Sequence, residues 1–266
     1  MKLQDLYSLI ALPSDAADRL EAVGRELHLP RLDGLLDPDT AREAYRQLKD
    51  TLPEDSPDHW KLLYCYLECA RRARANYRKR GIPDQIYLDT MSCFSRFLAE
   101  DRNIYGRPCF LRGWWTYRQT SMRLFRIGAL EYELRARGGR PVIDLHIPSD
   151  ADFSPASVDR SLEQAEDFFR TYFPEYGYEA CTCDSWLLSP RLEPLLSRSS
   201  NILSFQRRFQ ILGETPEDRE YIQWLFQVPE DTETGRLPEN TSLQRRVKAL
   251  LLEGGAVGCA FGILNR

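Results

Sequence analysis

One histidine and three carboxylates have the spacing in this sequence that most directly indicates acid–base chemistry. Residues 127–135 and 141–147 both alternate apolar and polar side chains, which is typical of strands with one buried face. The Arg-Gly-Gly-Arg segment between them, residues 137–140, predicts a two-residue hairpin turn because paired glycines accept positive φ angles. With Gly138 and Gly139 as the loop, Glu131 faces His146 across the hairpin.

The same register gathers further charge on one sheet face. Glu133 falls opposite Asp144, and like charges at opposed positions are unfavourable unless a cation or a substrate amine lies between them. A carboxylate beside an imidazole fixes its tautomer, and the other ring nitrogen can then act as a general base or acid. We therefore predict His146, Glu131 and Asp144 as catalytic residues and Glu133 as a substrate-binding residue. The alternative is the solvated polar face that any half-exposed sheet shows.

A second group of residues could contribute to binding. An aromatic and cationic cluster is formed by Trp114, Trp115, Tyr117 and Arg118. Within it, Trp115 and Arg118 are candidate substrate-binding residues. The alternative is a seam of packed aromatic side chains.

The seven cysteines are expected to be reduced thiols, since no paired spacing suggests disulfides. Cys181 and Cys183 are expected to be neither a nucleophile nor a zinc site. No histidine lies near them in sequence, and tetrahedral zinc needs three or four ligands. We predict no metal.

The elements that position these residues change character along the chain. Residues 1–107 show helical periodicity and predict a helical N-terminal domain. Strand and helix patterns interleave over residues 108–266, which predicts an α/β sheet domain and an α+β fold class overall. The helix predicted to begin at Ser154-Pro155 directly follows the strand that ends near His146.

Composition restricts the classes of partner. The net charge of −4 argues against nucleic acid, which requires a basic face. The absence of a signal-like segment or a long apolar run predicts a cytoplasmic protein without membrane partners. The basic segment 71–80 is expected to be a solvated helix face, with a phosphate- or nucleotide-binding regulator as the alternative. The sequence indicates no oligomeric state.

Several segments also resemble a known family. They are the following: residues 124–133 (LFRIGALEYE), residues 146–155 (HIPSDADFSP), residues 184–190 (DSWLLSP) with 201–202 (NI) and 205–209 (FQRRF), and residues 237–238 (LP) with 241–245 (TSLQR). Together they resemble bacterial acyltransferase-domain proteins, which pair a helical N-terminal domain with a GNAT-like C-terminal domain. The resemblance covers the chain nearly end to end.

The resemblance implies a GNAT-like mixed α/β sheet with acyl-CoA as co-substrate. The CoA pyrophosphate would lie at the start of the helix near Ser154, with Ser149 and Ser154 as cofactor-binding residues. The family's glycine-rich loop is replaced by residues 148–153 (PSDADF), where Asp150 and Asp152 would repel a pyrophosphate. The clustered histidine and carboxylates favour the leading hypothesis, a GNAT-like acyltransferase acting on a small amine or hydroxyl acceptor. The missing glycine-rich loop favours the alternative, a non-catalytic GNAT-like module that binds a metabolite or a partner protein.

Overall fold

A computed structural model describes residues 1–52 and 55–265 of the chain. The chain packs into two compact units, Met1–Ile127 and Gly128–Arg266. The domain boundary after residue 107 stays a prediction, while packing assigns the segment from 108 to 127 to the first unit. None of the helices in the described ranges is long and apolar enough to cross a membrane.

The described part of the first unit is helical and ends in a short strand. Its elements are α1 (Leu3–Leu9), α2 (Ser14–Glu26), α3 (Ala41–Thr51), α4 (Trp60–Lys79), α5 (Asp84–Met91), α6 (Cys93–Tyr105), α7 (Gly113–Thr120) and β1 (Leu124–Ile127). Helix α4 is buried on most sides, and its Tyr66 hydroxyl donates a 2.7 Å hydrogen bond to the carbonyl of Gly113. The periodicity of residues 84–105 predicts a single helix, but this prediction is wrong, because Ser92 ends α5 and separates it from α6.

The basic segment 71–80 forms the last part of α4, and several of its charges have partners inside the unit. Arg74 and Arg78 both bind Asp84, at 2.6 Å and 3.0 Å. Arg71 binds Glu68 at 2.9 Å. These two carboxylates offset part of the positive charge of the segment, which favours the solvated helix face over an anion-binding surface.

The second unit is built on a mixed sheet with helices on the connections. Its elements are β2 (Leu130–Arg137), β3 (Arg140–His146), α8 (Pro155–Tyr172), β4 (Ala180–Ser185), α9 (Asn201–Gln206), β5 (Phe209–Thr215), α10 (Glu220–Phe226), α11 (Ser242–Leu252) and β6 (Cys259–Leu264). The five strands lie in the order β2-β3-β4-β6-β5. Only the β3–β4 pair among them is parallel, and α8 connects its two strands. The predicted α+β fold class is confirmed.

The predicted hairpin is confirmed residue by residue. Gly138 and Gly139 have φ angles of 57° and 80° and form the two-residue loop. Glu131 pairs with His146, and Glu133 pairs with Asp144.

Helix α8 packs on the apolar face of this hairpin. The Ser161 hydroxyl accepts the backbone N–H of Leu130 at 3.2 Å and lies 2.9 Å from the Tyr132 hydroxyl. Both bonds are buried and fix the helix against β2. The opposite, polar face of the hairpin carries the candidate site.

The sequence pattern was misleading at one strand. Residues 201–212 alternate and predict one long strand, but residues 201–206 form helix α9. The Ser200 hydroxyl caps this helix by accepting the N–H of Ile202 at 3.2 Å. The local capping signal therefore outweighs the alternation, and β5 begins only at Phe209.

Candidate active site

His146 is the last residue of β3, at the edge of the sheet where ligands commonly bind. The β3–β4 ladder ends at the pair Leu145–Cys183, one residue before His146. Both parallel strands end at this edge, and the chain continues from it toward the start of α8 at Pro155. Ligands in α/β sheets bind outside the carboxyl ends of parallel strands.

His146 is hydrogen-bonded to Glu133, which lies diagonally across the hairpin from it. Its Nε2 lies 3.1 Å from Glu133 Oε2, and the Glu133 side chain is 3% exposed. With Glu133 ionised, its carboxylate only accepts hydrogen bonds, and Nε2 is then the ring nitrogen that donates to it. In the neutral ring the lone pair then resides on Nδ1, which is the arrangement of a general base.

Asp144 lies beside this pair and is fully buried. Its Oδ2 accepts hydrogen bonds from Arg135 at 2.8 Å and Arg137 at 2.7 Å, and its Oδ1 accepts one from Thr182 at 2.7 Å. These arginines supply the cation that the opposed carboxylates Glu133 and Asp144 require. Because Glu131, Glu133 and Asp144 are all buried, the solvated-face alternative does not describe this surface.

The arginine beside Asp144 is itself held in place. The Arg137 guanidinium lies 4.7 Å from the ring centroid of Phe261 and 3.9 Å from Asp184. Burial raises the pKa of Asp184, and the charge of Arg137 opposes that shift. The charged face therefore extends across β2, β3 and β4 and reaches β6.

The loop that leads into α8 differs from a glycine-rich anion loop. The Asp152 carboxylate accepts the backbone N–H of Ser154 at 3.0 Å, and hydrogen bonds from Ser154 lower its pKa. Ser154 precedes Pro155, the first residue of the helix. A carboxylate of the chain therefore already occupies part of the helix start at which Ser149 and Ser154 are predicted to bind CoA.

Comparison with known families is informative for the whole chain. Residues 124–264 match the family described as "GNAT-like C-terminal domain", and residues 1–122 match the "N-acyltransferase N-terminal domain". This chain belongs to the GNAT-like family. The membership confirms the resemblance noted in the sequence, and acyl transfer from acyl-CoA is the function that it indicates. A comparison with curated proteins gives no match.

Solved structures agree with this assignment at the level of the fold. One is an acyltransferase in complex with decanoyl-CoA and teicoplanin, with 24% identity, a TM-score of 0.72 and 99% of each chain covered. Another is an acyltransferase in complex with CoA and 10C-teicoplanin, with 22% identity, a TM-score of 0.73, and 100% of this chain and 99% of that chain covered.

The other predicted substrate-binding residues lie on α7 in the first unit. The Arg118 guanidinium lies 4.1 Å from the ring centroid of Trp115 and 4.8 Å from that of Tyr117. It also donates a 3.2 Å hydrogen bond to the carbonyl of Trp114, whose side chain is exposed. Tyr117 is buried and stacks on Tyr45 of α3 with 6.3 Å between ring centroids, so part of the cluster packs inside the first unit. A substrate-binding role for Trp115 and Arg118 stays a prediction.

Two groups of side chains in the described ranges have potential metal ligands close together. Glu133, Asp144 and His146 bring ligand atoms within 4.8 Å of one another, as do Asp218, Glu220 and Cys259. In the first group both oxygens of Asp144 accept hydrogen bonds from Arg135, Arg137 and Thr182, so the arrangement does not fit a metal. In the second group burial raises the pKa of the Cys259 thiol, which disfavours the thiolate that a metal needs.

Two residues of the site carried only a weak signal in the sequence, and a third carried none. Arg135 and Arg137 lie on the same alternating face as Glu131 and Glu133, so strand alternation could have found them. Thr182 reaches Asp144 because β4 pairs in parallel with β3, and nothing local to residue 182 indicates this.

The GNAT-like unit buries Cys183 and half-buries Cys181, the two thiols of β4 that could have served as nucleophiles. Burial raises the pKa of Cys181 to about 12 and that of Cys183 well above its usual range. Both thiols are therefore protonated at neutral pH, which agrees with packed rather than reactive cysteines.

These buried thiols predict alkaline destabilisation. A thiol of the unfolded chain ionises near about pH 8.5, whereas the folded chain keeps it protonated to higher pH. The unfolded state then binds fewer protons, so the free energy of unfolding falls as pH rises above about 8.5, by up to about 1.4 kcal/mol per pH unit for each such thiol. Urea titrations at pH 8 and pH 10 measure this. A Cys181→Ala variant should show a shallower fall, and an unchanged slope would contradict the assignment.

Proposed function

We propose that this protein transfers an acyl group from acyl-CoA to the amine or hydroxyl of a small-molecule acceptor, with His146 as general base. The observation that carries the proposal is the hydrogen bond between partly exposed His146 and buried Glu133 at the end of β3, in a chain of the GNAT-like family. Glu131 and Asp144 complete the acidic surroundings of the imidazole.

The chemistry follows from the protonation state of the ring. Nδ1 of His146 takes the proton from the acceptor as the acceptor's lone pair attacks the thioester carbonyl. A carbon–nitrogen or carbon–oxygen bond forms, the carbon–sulfur bond breaks, and CoA leaves as a thiolate that takes up the proton held by the imidazolium, which restores neutral His146. Glu133 stabilises the imidazolium that forms in the first step.

The donor and the acceptor class have support from the structural neighbours. Two neighbours were solved with decanoyl-CoA or octanoyl-CoA, and another with decanoyl-CoA and teicoplanin. A CoA thioester donor and a small-molecule acceptor are therefore the partners we propose here. The net charge of −4 supports the further proposal that nucleic acid is not a partner. We also propose a cytoplasmic location.

One observation favours the non-catalytic alternative. Asp152 places a negative charge at the start of α8, where the resemblance puts the CoA pyrophosphate. Ser149 and Ser154 remain the proposed contacts of the pyrophosphate, and they would have to act beside this carboxylate. A GNAT-like module that binds a different metabolite, or a partner protein, would not require an anion there.

The charge of Asp152 gives a prediction about donor binding. An Asp152→Asn variant keeps an oxygen for the Ser154 N–H but removes the repulsion of the pyrophosphate, so the Kd for acyl-CoA should fall by about 3- to 10-fold. Isothermal titration calorimetry with octanoyl-CoA measures the change. Asp167→Asn, which removes an exposed carboxylate near the other end of α8, is the matched control. Equal Kd values for the two variants would show that the pyrophosphate does not lie at the helix start.

A titration and an assay together test the function. Calorimetry with acetyl-CoA and octanoyl-CoA should show saturable binding, and a thiol-reactive dye should detect CoA release when an amine-bearing acceptor is added. Absence of binding at millimolar acyl-CoA would contradict the transferase and favour the non-catalytic module. Binding without CoA release across a panel of amines and alcohols would leave a CoA-binding module without transfer.

A further inference from the structure

Two buried carboxylates compete for one imidazole in the site. One oxygen each of Glu133 and Asp144 and one ring nitrogen of His146 lie within 4.8 Å of one another. The two carboxylates are also directly opposed in the β2–β3 register. Either could accept the ring N–H, so these three residues by themselves do not determine which carboxylate orients the ring.

The surrounding donors remove this ambiguity. Arg135 and Arg137 both donate to Asp144 Oδ2, and Thr182 donates to Oδ1. Asp144 is fully buried, so these three bonds replace its water. Glu133, in contrast, is the carboxylate at hydrogen-bonding distance from His146.

Strand geometry explains why two arginines reach the same oxygen. Arg135 and Arg137 are two positions apart on β2 and therefore project from the same face as Glu133. Phe261 on β6 packs against the guanidinium of Arg137 and restricts its orientation.

We propose that Arg135 and Arg137 are positioning residues for the acyl transfer. By holding Asp144 as their counter-ion, they keep it from competing with Glu133 for the imidazole, and so they fix which nitrogen faces the acceptor. This inference rests on the proposed function, but its structural part concerns the imidazole and can be measured without turnover.

Several other titratable groups lie on this face of the sheet, and an experiment must separate the effect of the two arginines from theirs. They come from β2, β3 and β4 and are Glu131, Glu133, Arg135, Arg137, Asp144, His146 and Asp184. Removal of the arginines leaves Asp144 free to bind the imidazole. Neutralising Asp144 as well removes the competitor, so the two changes should compensate each other.

The test is a cycle of variants built on Arg135→Gln, Arg137→Gln and Asp144→Asn. The double arginine variant should lower kcat about 10-fold or more, with the KM for acyl-CoA changed less than about 2-fold, because ring orientation and not donor binding is lost. The triple variant should recover kcat to within about 3-fold of Asp144→Asn alone. Arg140→Gln removes an exposed arginine of the same hairpin and serves as the control.

Nitrogen-15 spectra of the imidazole provide the second readout. The chain has three histidines, so comparison with a His146→Gln variant identifies the relevant signals. The double arginine variant should shift the His146 ring nitrogens, and the triple variant should return them toward the wild-type values.

Three results would overturn the proposal. The first is a kcat that falls in step with the thermal midpoint and is not rescued by Asp144→Asn. The second is a His146 spectrum that stays unchanged when both arginines are replaced. This result would overturn the proposed positioning of the imidazole even if the wild-type protein transfers no acyl group. If the double variant does not fold, the triple variant is compared with Asp144→Asn alone, and different His146 spectra for those two would be the third, because the arginines should not influence the ring once Asp144 is neutral.

Discussion

Replacement of His146 with alanine should lower kcat for acyl transfer by about 10²- to 10⁴-fold, the range contributed by a positioned general base. The ring is held by Glu133 at 3.1 Å, and a buried carboxylate of this kind stabilises the imidazolium as it forms. The KM for acyl-CoA should change little, since the base acts on the acceptor. Initial rates of CoA release at saturating donor measure the effect.

The matched control uses another histidine of the same chain. His28→Ala alters an exposed histidine of the first unit and should leave kcat unchanged. Glu133→Gln should lower kcat less than His146→Ala, because the amide still accepts the ring N–H but cannot stabilise the cation. Undiminished turnover in His146→Ala would remove His146 from the mechanism and return the site to a structural role.

The largest effect on stability is expected at Gly258, just before β6. Its φ is +69°, and a Cβ there would lie 2.5 Å from the carbonyl oxygen of Thr215 and 2.6 Å from Cα of Pro216. Both neighbours are backbone atoms that cannot rotate away. Gly258→Ala combines the cost of a left-handed conformation with a steric clash, so the free energy of unfolding should fall by about 3 kcal/mol.

Gly138→Ala separates the two contributions. Gly138 has a similar φ of +57°, but a methyl group added there would meet no heavy atom of the described residues within 4 Å. Only the conformational cost of about 1 kcal/mol then remains. Urea denaturation of both variants gives the difference directly. Equal losses at the two positions would show that the β5–β6 connection relaxes around the added methyl group.

The register of the hairpin is the part of the site that sequence reasoning could predict in full. Its register depends on local alternation and on two glycines, so the Glu131–His146 and Glu133–Asp144 pairs follow from positions 130 to 146 alone. The family resemblance then supplied the GNAT-like sheet. Strand β5 was predicted to begin too early because alternation ignores the Ser200 cap, which is a competing local signal.

What the sequence could not predict depends on contacts between distant segments. The hydrogen bond between Glu133 and His146 runs diagonally across the hairpin, so side-chain direction sets it and register alone does not predict it. Thr182 enters the site only through the parallel pairing of β3 and β4. Contacts between distant segments also bury three carboxylates on a face that alternation alone predicts to be exposed to solvent.

The parallel pairing of β3 with β4 also bears on how the protein acquires its site. The β2–β3 hairpin closes over a short stretch of chain, whereas Thr182 is separated from Asp144 by 38 positions and by the whole of α8. Contacts across such a separation form late, because chain closure costs entropy before they stabilise the fold. The growing polypeptide therefore has its histidine and glutamate aligned early but completes their charged surroundings only when the crossover docks, so catalytic competence should be among the last properties that folding confers.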